Sequence, residues 1–545
     1  MLRLHPSALD IALLVIYFVA ILGIGFAARR SVGTSADFLL AGRSLPAWVT
    51  GLAFISANLG ATEILGMAAN GAQYGVATVH YYWIGAVPAM AFLGVVMMPF
   101  YFRSKVRSVP EFLRVRFNDS SHVLISVVFA VSAVLIAGVN LYALAIVLQS
   151  LVGLNLYLGI VVSAAFVLAY IGAGGLSSAI YGEVLQFFVI LAGLIPLTVA
   201  AVKNVGGFSG LATKVAHSAL GDNGLHAWRG TGVGSQPHNP IGANWIGIVL
   251  GLGFVLSFGY WTTNFAEVQR ALSARDESAG RRTPLIAAYP KLLIPAVTVI
   301  PGLVALVTFK GFGTSGLTYN DAIPALMGRL LPSGVLGVAI TGLFASFMAG
   351  VAANVSSLNT VVTYDVVQPY LRRDRSDRYY LLTGRLVTVA GVVIAVFTAI
   401  LASHFNNIMN YLQSLFSIFN APIFATFLLG MFWKRTSAWA GFGGLLAGVL
   451  GGALCFLLFQ TSVFTVATPI YATFIQAGVA FGLDIVVSLL ITAVTRGPDP
   501  ARLRGVVWEG RAARGGGPRD AWWRRPVLLG GGAIAIGVVL NVIFA

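Results

Sequence analysis

Long apolar runs, separated by short polar loops, follow one another along almost the whole chain. A bilayer core of about 30 Å requires about 20 residues of helix, and most of the runs have about that length. They lie at residues 8–28, 45–70, 80–101, 121–150, 153–172, 183–202, 243–269, 285–309, 334–370, 386–402, 407–432, 438–459, 471–495 and 527–544. The pattern predicts an all-α polytopic membrane protein with about 14 transmembrane helices.

Polar residues and glycines interrupt two of these runs. The second span contains the segment 56–66, SANLGATEILG, and the seventh contains the segment 257–270, SFGYWTTNFAEVQR. Such residues weaken helix continuity and expose backbone carbonyls. Each interrupted span opens a set of five spans, two to six and seven to eleven. This arrangement indicates a transporter built from inverted repeats, with its site near the middle of the membrane, whereas two ordinary kinked helices are the simpler alternative.

The spans and loops divide the chain into seven parts. These are the first transmembrane helix with a cytoplasmic loop (1–44), the first repeat with spans two to six (45–203), an extracytoplasmic loop (204–242), the second repeat with spans seven to eleven (243–435), spans twelve and thirteen (436–495), a basic cytoplasmic loop (496–526) and the last transmembrane helix (527–545). In this organisation the two repeats form the core, and the other spans flank it.

Composition and charge agree with a membrane protein. Of the 545 residues, 58% are hydrophobic and 10% are charged, which leaves no room for a large soluble domain. The formal net charge of +16 would suit nucleic acid, but 27 of the 34 Lys and Arg residues lie in alternate loops, beginning after the first span. By the positive-inside rule these loops are cytoplasmic and both termini are extracytoplasmic. We therefore expect a multi-pass protein of a bacterial plasma membrane that contacts lipid and not nucleic acid.

Motifs of the common enzyme classes are absent from the sequence. It contains no HExxH, GxSxG or GxxxxGKS/T segment, and its one cysteine, Cys455, lies inside an apolar run. A disulfide framework and a cysteine-rich zinc site are therefore excluded. We expect a protein that is not an enzyme, has no cofactor and has no obligate protein partner.

Six segments carry a resemblance to a known family. They are 37-DFLLAGRSLPAWVTGLAFISAN-58, 109-VPEFLRVRFN-118, 169-AYIGAGGLSSAIYGEVLQ-186, 260-YWTTNFAEVQRALSA-274, 359-NTVVTYDVV-367 and 428-LLGMFWKR-435. In these segments the chain resembles the sodium:solute symporter family, which includes sodium-coupled sugar transporters. The resemblance implies a LeuT-type inverted five-plus-five helix repeat core, here spans two to eleven, that works by alternating access with Na+ as the coupling ion.

The resemblance also implies positions for a sodium ion. Carbonyl ligands at the break of the second span fall at Ser56 and Leu59, and a carbonyl ligand on the ninth span falls at Ser346. The two hydroxyl ligands of the family fall at Ala349 and Gly350, which carry no hydroxyl. A cation held by neutral oxygens would lose two of about five ligands, so sodium coupling and proton coupling both stay open.

A carboxylate on the sixth span bears on the same question. Sugar symporters of the family have an aspartate near the sodium site, and the aligned residue here is Glu183, which is one methylene longer. We expect Glu183 either to reach the cation site as a ligand or to bind a proton itself. The alternative is a solvated carboxylate at the cytoplasmic end of its helix.

The resemblance further implies eight positions of a solute site. Those that match the sugar symporters are Asn58, Tyr260, Trp261, Lys291 and Gln413, and those that differ from them are Glu63, Tyr82 and Ser257. An aromatic platform with a few polar groups is left, which suits a polyol or an amine-bearing solute. Glu63 and Lys291 either contact the solute or form a buried pair with each other.

These patterns predict a secondary-active symporter that imports a small polar organic solute. A sugar or polyol is favoured over amine or carboxylate solutes, and sodium is favoured over a proton as the coupling ion. A homologue that senses its ligand without transporting it is a further alternative, with the basic segment 496–525 as the signalling element.

Overall fold

The computed structural model describes residues 4–29, 34–233, 238–314, 316–498, 503, 505–508 and 521–545. In these residues the only β-type pairing is an isolated bridge between Leu45 and Ala274. The helices of six residues or more are α1 (Ala8–Arg29), α2 (Ser35–Leu40), α3 (Ala47–Asn58), α4 (Thr62–Tyr74), α5 (Val76–Arg103), α6 (Val109–Arg116), α7 (Asp119–Val152), α8 (Leu156–Asn204), α9 (Gly207–Ala216), α10 (Gly247–Thr263), α11 (Phe265–Leu272), α12 (Glu277–Thr308), α13 (Ala322–Leu330), α14 (Val335–Leu371), α15 (Asp377–Ala402), α16 (Ile408–Phe432), α17 (Ala438–Gln460), α18 (Pro469–Val494) and α19 (Pro526–Ile543). The all-α class predicted from the sequence is confirmed.

The helices match the predicted membrane spans closely. Within the part of the chain that the structure describes, eleven helices are long and apolar enough to cross a membrane, and two bent helix pairs bring the number to 13. A shorter apolar helix, Leu156–Ala169, lies where the fifth span was predicted. It meets the sixth span within α8 at Gly175, which has a φ of +58°. Glycine adopts this conformation readily, and it also leaves room for Phe38, which occupies the space where a Cβ would stand. The protein is therefore a multi-pass membrane protein.

Both predicted interruptions are sharp breaks in the helices. α3 and α4 differ in direction by 58°, and α10 and α11 differ by 49°. At the first break Leu59 leaves the helical conformation, with ψ at 41°. At the second break Asn264 is extended, and its side chain accepts a hydrogen bond from the N–H of Ala266, which caps α11. The polar residues therefore end one helix and begin the next.

The core of the protein consists of the helices between the second and the eleventh span. In α14, 89% of the most apolar window is buried, whereas the corresponding share is 17–22% in α1, α17, α18 and α19. α14 packs against α7 and α8, and α12 packs against both α3 and α4. The domain boundaries stay a prediction, and residues 499–502, 504 and 509–520 of the basic loop 496–526 lie outside the described residues.

Candidate functional site

The break between α3 and α4 is held by side chains from two neighbouring helices. The backbone N–H of Ala61 donates to Oδ1 of Asn140 on α7 at 2.8 Å. The carbonyl of Leu59 accepts a hydrogen bond from the hydroxyl of Ser346 on α14. Because the break removes intrahelical partners from these backbone groups, the two side chains complete their hydrogen bonding.

The predicted sodium positions lie around this break. Ser346 contacts Leu59, and the buried hydroxyl of Ser56 has no hydrogen-bond partner among the described residues. Ala349 is fully buried on α14 and, like Gly350 beside it, offers no side-chain oxygen. The carboxamide of Asn140 fills the space in which a side chain at Gly350 would stand. An oxygen that the sequence did not predict is therefore present beside Gly350, one of the two positions that lack a hydroxyl.

A cavity is lined by residues of both broken spans. Among the residues that line it are six of the eight predicted solute positions, namely Asn58, Glu63, Ser257, Tyr260, Trp261 and Gln413. The cavity measures about 40 Å³, which is enough for a few water molecules but not for a sugar. Entry of a solute therefore requires the surrounding helices to move apart.

Lys291 and Tyr82, the remaining two predicted positions, join the cavity through Glu63. Nζ of Lys291 lies 2.6 Å from Oε1 of Glu63 and also donates to Oδ1 of Asn58. The hydroxyl of Tyr82 donates to Oε2 of Glu63 at 2.7 Å. Lys291 stands 5.0 Å from the ring centre of Tyr82 and 4.9 Å from that of Trp261, which adds cation–π attraction. The structure thus pairs Glu63 with Lys291, one of the two arrangements predicted.

Tyr260 joins the two broken spans to each other. Its hydroxyl accepts a hydrogen bond from Nδ2 of Asn58 at 3.1 Å and donates to Oε1 of Glu267 at 3.0 Å. Its ring lies 4.7 Å from that of Phe416 on α16. Ser257 and Gln413 make local contacts, since the Ser257 hydroxyl donates to the carbonyl of Leu252 and Gln413 is buried at the cavity wall.

Glu183 is engaged by a residue of the second broken span. Nε and Nη2 of Arg270 donate to the two carboxylate oxygens of Glu183, and both side chains are completely buried. This bidentate pair places Glu183 inside the protein and not in solvent at the cytoplasmic end of its helix. The proposed role of Glu183 as a cation ligand or proton carrier stays a prediction.

Three residues of this region were missed as site candidates by the sequence reasoning. They are Asn140, Glu267 and Arg270. Glu267 and Arg270 lie in the interrupted seventh span, where a carboxylate and a guanidinium three residues apart are unusual for a membrane helix. Asn140 stands in the middle of a long apolar run. Because a polar side chain inside the membrane is costly unless it is hydrogen-bonded, this position indicates a residue with a buried partner.

The side chains around the cavity are those of a site for a polar ligand. Among the described residues no group of three or more His, Cys, Asp or Glu side chains could hold a metal ion. The cavity instead offers amides, hydroxyls and aromatic rings beside an ion pair that is already neutral. Such a lining orients a polar ligand by hydrogen bonds and stacking.

Comparison with known proteins finds relatives that align with most of this chain. Sodium/glucose cotransporter 1 of Ovis aries is 31% identical over 482 residues, which are 82% of this chain and 71% of that protein. The sodium/glucose cotransporter of Vibrio parahaemolyticus is 29% identical over 468 residues, which are 81% of this chain and 84% of that protein. Both relatives thus align with most of this chain.

A solved structure and a family model complete the comparison. A Na+-coupled sialic acid symporter, solved in a substrate-bound outward-open state, superposes with a TM-score of 0.74 at 18% identity and covers 90% of this chain and 99% of its own. This similarity confirms the predicted LeuT-type core. The model of the sodium:solute symporter family matches residues 38–448, about three quarters of the chain. The chain therefore belongs to the sodium:solute symporter family of membrane transporters and is not an enzyme.

Proposed function

We propose that the protein is a secondary-active symporter that imports a small neutral solute, a sugar or a polyol. The observation that carries this proposal is the state of Glu63, whose two oxygens are taken by Lys291 and Tyr82. An amine-bearing solute would have to displace Lys291, and a carboxylate solute would face Glu63. A neutral hydroxylated solute would neither displace Lys291 nor be repelled by Glu63. It can form hydrogen bonds with the amides of Asn58 and Gln413 beside the aromatic rings.

Alternating access explains how such a solute reaches and leaves the cavity. The cavity lies between the two broken spans, and Tyr260 hydrogen-bonds to Asn58 of one span and Glu267 of the other. Rocking of one repeat against the other would separate these residues and enlarge the cavity toward one side of the membrane at a time. The small volume of the cavity suits an intermediate that is closed to both sides.

Sodium is the coupling ion that we propose. The proposal is supported by the oxygens of Leu59, Ser346 and the orphaned hydroxyl of Ser56 near the helix break, and by Oδ1 of Asn140 beside Gly350. The matched relatives are named as sodium cotransporters, which supports the same ion. Proton coupling is the second candidate, because Ala349 and Gly350 provide no ligands.

Uptake into proteoliposomes tests the proposal. Galactose, myo-inositol, choline and acetate would be offered under an inward sodium gradient, with an equal potassium gradient as the reference. We expect accumulation of a neutral polyol that depends on sodium, loss of this uptake in Asn58→Ala, and normal uptake in Asn204→Ala, a matched change at an exposed helix end. Uptake of choline or acetate alone would contradict the proposed solute class. Purified protein that binds a polyol without moving it would indicate the ligand-sensing alternative.

A further inference from the structure

The buried ionisable groups around the broken spans do not balance in charge. They comprise three carboxylates, Glu63, Glu183 and Glu267, and two basic groups, Lys291 and Arg270. Each of the five is at most 8% exposed, so bulk solvent screens their charges only weakly. Because an uncompensated buried charge is costly, the set requires one more positive charge.

The carboxylate without a hydrogen-bonded basic partner among the described residues is Glu267. Glu63 has Lys291 and Tyr82 as partners, and Glu183 has both of its oxygens bound by Arg270. Oε1 of Glu267 accepts a hydrogen bond from Tyr260, but Oε2 is buried and has no partner among the described residues.

The nearest guanidinium does not supply that partner. Nη1 of Arg270, the nitrogen that does not reach Glu183, donates to the carbonyl of Ala266 at 2.8 Å and lies 3.4 Å from Oε1 of Gln269. None of the hydrogen bonds that Arg270 donates to described residues therefore goes to Glu267. The carboxyl group of Glu267 is left with half of its acceptor capacity empty.

A proton fits this position better than a metal cation. Ca2+ and Mg2+ take about six or more ligands and the sodium site considered above about five, whereas a proton needs a single oxygen. Oε2 of Glu267 is such a single oxygen, and protonation would make the side chain neutral while Oε1 still accepts from Tyr260.

Glu267 also lies where the protein must move. It stands in the first turn of α11, just after the joint at Asn264, and its partner Tyr260 lies on α10 before the joint. A large change in the 49° angle between the two helices would separate Tyr260 from Glu267 and break this hydrogen bond. Protonation and helix movement are thus linked through one contact.

We infer that Glu267 binds a proton that is exchanged during each transport cycle, an inference that rests on the proposed symport function. In the closed state the side chain is a neutral carboxylic acid. When α11 opens, the O–H bond breaks, the proton passes to a water molecule to form hydronium, and the carboxylate is solvated. On closure the carboxylate takes a proton back from hydronium.

The ionisable groups that act on Glu267 come from four helices. They are Tyr260 on α10, Arg270 on α11, Lys291 on α12 and Glu183 on α8. α5 also packs against α11, and its Tyr101 donates a hydrogen bond to the carbonyl of Thr262. α3 and residues 335–360 of α14, which also pack against α11, carry no ionisable side chain. The titration of Glu267 therefore depends on the acid and base groups already described.

Infrared difference spectroscopy between two pH values tests the inference without a known solute. The wild-type protein is expected to show a carbonyl band of a protonated carboxylic acid that changes with pH. Glu267→Gln should lose this band, and Glu267→Asp should keep it at a shifted position. The control Asp484→Asn removes the signal of a second buried acid, and Glu277→Gln makes the same change at a half-exposed ion pair near the start of α12. A band that persists in Glu267→Gln would overturn the inference.

The pH dependence of uptake gives a second readout. We expect wild-type protein and Glu277→Gln to share a pH profile and Glu267→Gln to lose it, with uptake that is the same across the tested range. An unchanged profile in Glu267→Gln would overturn the inference. If no tested solute is taken up at all, the proposed function fails, whereas the infrared band of Glu267 still decides the proton site.

Discussion

At the scale of single residues, the ion pair between Glu63 and Lys291 decides the chemical character of the cavity. Both groups are charged residues inside a membrane protein, and each satisfies the other at 2.6 Å. A buried pair of this kind adds little net stability, but loss of one partner leaves an uncompensated charge. The pair therefore makes the cavity neutral, and loss of either partner alone should destabilise the fold.

Lys291→Met should be strongly destabilising, because it leaves the charge of Glu63 buried without a partner. We expect a loss of about 3–5 kcal/mol in the free energy of unfolding. The double variant Glu63→Gln with Lys291→Met should recover a large part of this loss. Thermal unfolding in detergent measures both variants, and a Lys291→Met protein as stable as the wild type would contradict the assigned pair.

Gly350→Ser should destabilise the protein even though it adds one of the missing hydroxyls. The carboxamide of Asn140 occupies the space that the new side chain needs. Overpacking of this kind costs about 1–3 kcal/mol. The double variant Asn140→Ala with Gly350→Ser should be more stable than Gly350→Ser alone, as judged by the melting temperature, and an additive effect of the two changes would argue against this contact.

Much of the site is readable from the sequence when family positions guide the reading. All eight predicted solute positions lie in one cavity or contact its lining, and Ser346 meets Leu59 as the alignment implies. Asn140 was not predicted as a site residue, because the direction of a single polar side chain on a 34-residue helix depends on tertiary packing. Arg270 was not predicted as the partner of Glu183, because the two residues are 87 positions apart in the sequence and meet only through tertiary packing.

At the scale of helices, the broken spans and close glycine contacts shape the core. The breaks were predictable because glycine, asparagine and hydroxyl residues cluster at 56–63 and 257–264. The bend angles of 58° and 49° were not predictable, because they depend on how α12, α14 and α16 pack around the broken helices. The periodicity of an apolar span fixes its length but not its direction.

Gly302→Ala should wedge apart α4 and α12. A Cβ at Gly302 would collide with the carbonyl of Ala68, and a Cβ at Gly71 would stand 2.5 Å from the carbonyl of Val299. Small residues let membrane helices approach closely, so we expect a loss of about 1–3 kcal/mol in stability. Gly478→Ala on α18 is the matched control, because no atom lies within 4 Å of its added Cβ. Equal melting temperatures of the two variants would contradict this packing.

At the scale of the whole molecule, the distribution of basic residues sets an orientation that labelling can test. In a Cys455→Ser background, Thr465→Cys lies in the exposed loop between α17 and α18, and Asp374→Cys lies in the exposed loop between α14 and α15. By the positive-inside rule, a thiol reagent that cannot cross membranes should label Thr465→Cys in intact cells and Asp374→Cys only after permeabilisation. The reverse labelling would mean that both termini are cytoplasmic.

Symport requires that the cation and the solute bind the same state of the molecule. The cation positions that we propose, Leu59 and Ser346, and the proposed solute positions Asn58 and Glu63 lie at one helix break or contact it. Occupation of one site should therefore favour occupation of the other. The helix break between α3 and α4 is therefore the place where cation binding, solute binding and movement of the two repeats would be linked.

Thermal stability under combined ligands tests this account most directly. Purified protein would be melted across a sodium titration balanced with potassium, in the absence and presence of galactose or myo-inositol, since a ligand of the folded state stabilises it by mass action. We expect saturable stabilisation by sodium but not by potassium, and a lower sodium midpoint when the solute is present. Stabilisation that is absent, equal for both ions, or unaffected by any polyol would contradict sodium-coupled symport of a neutral solute.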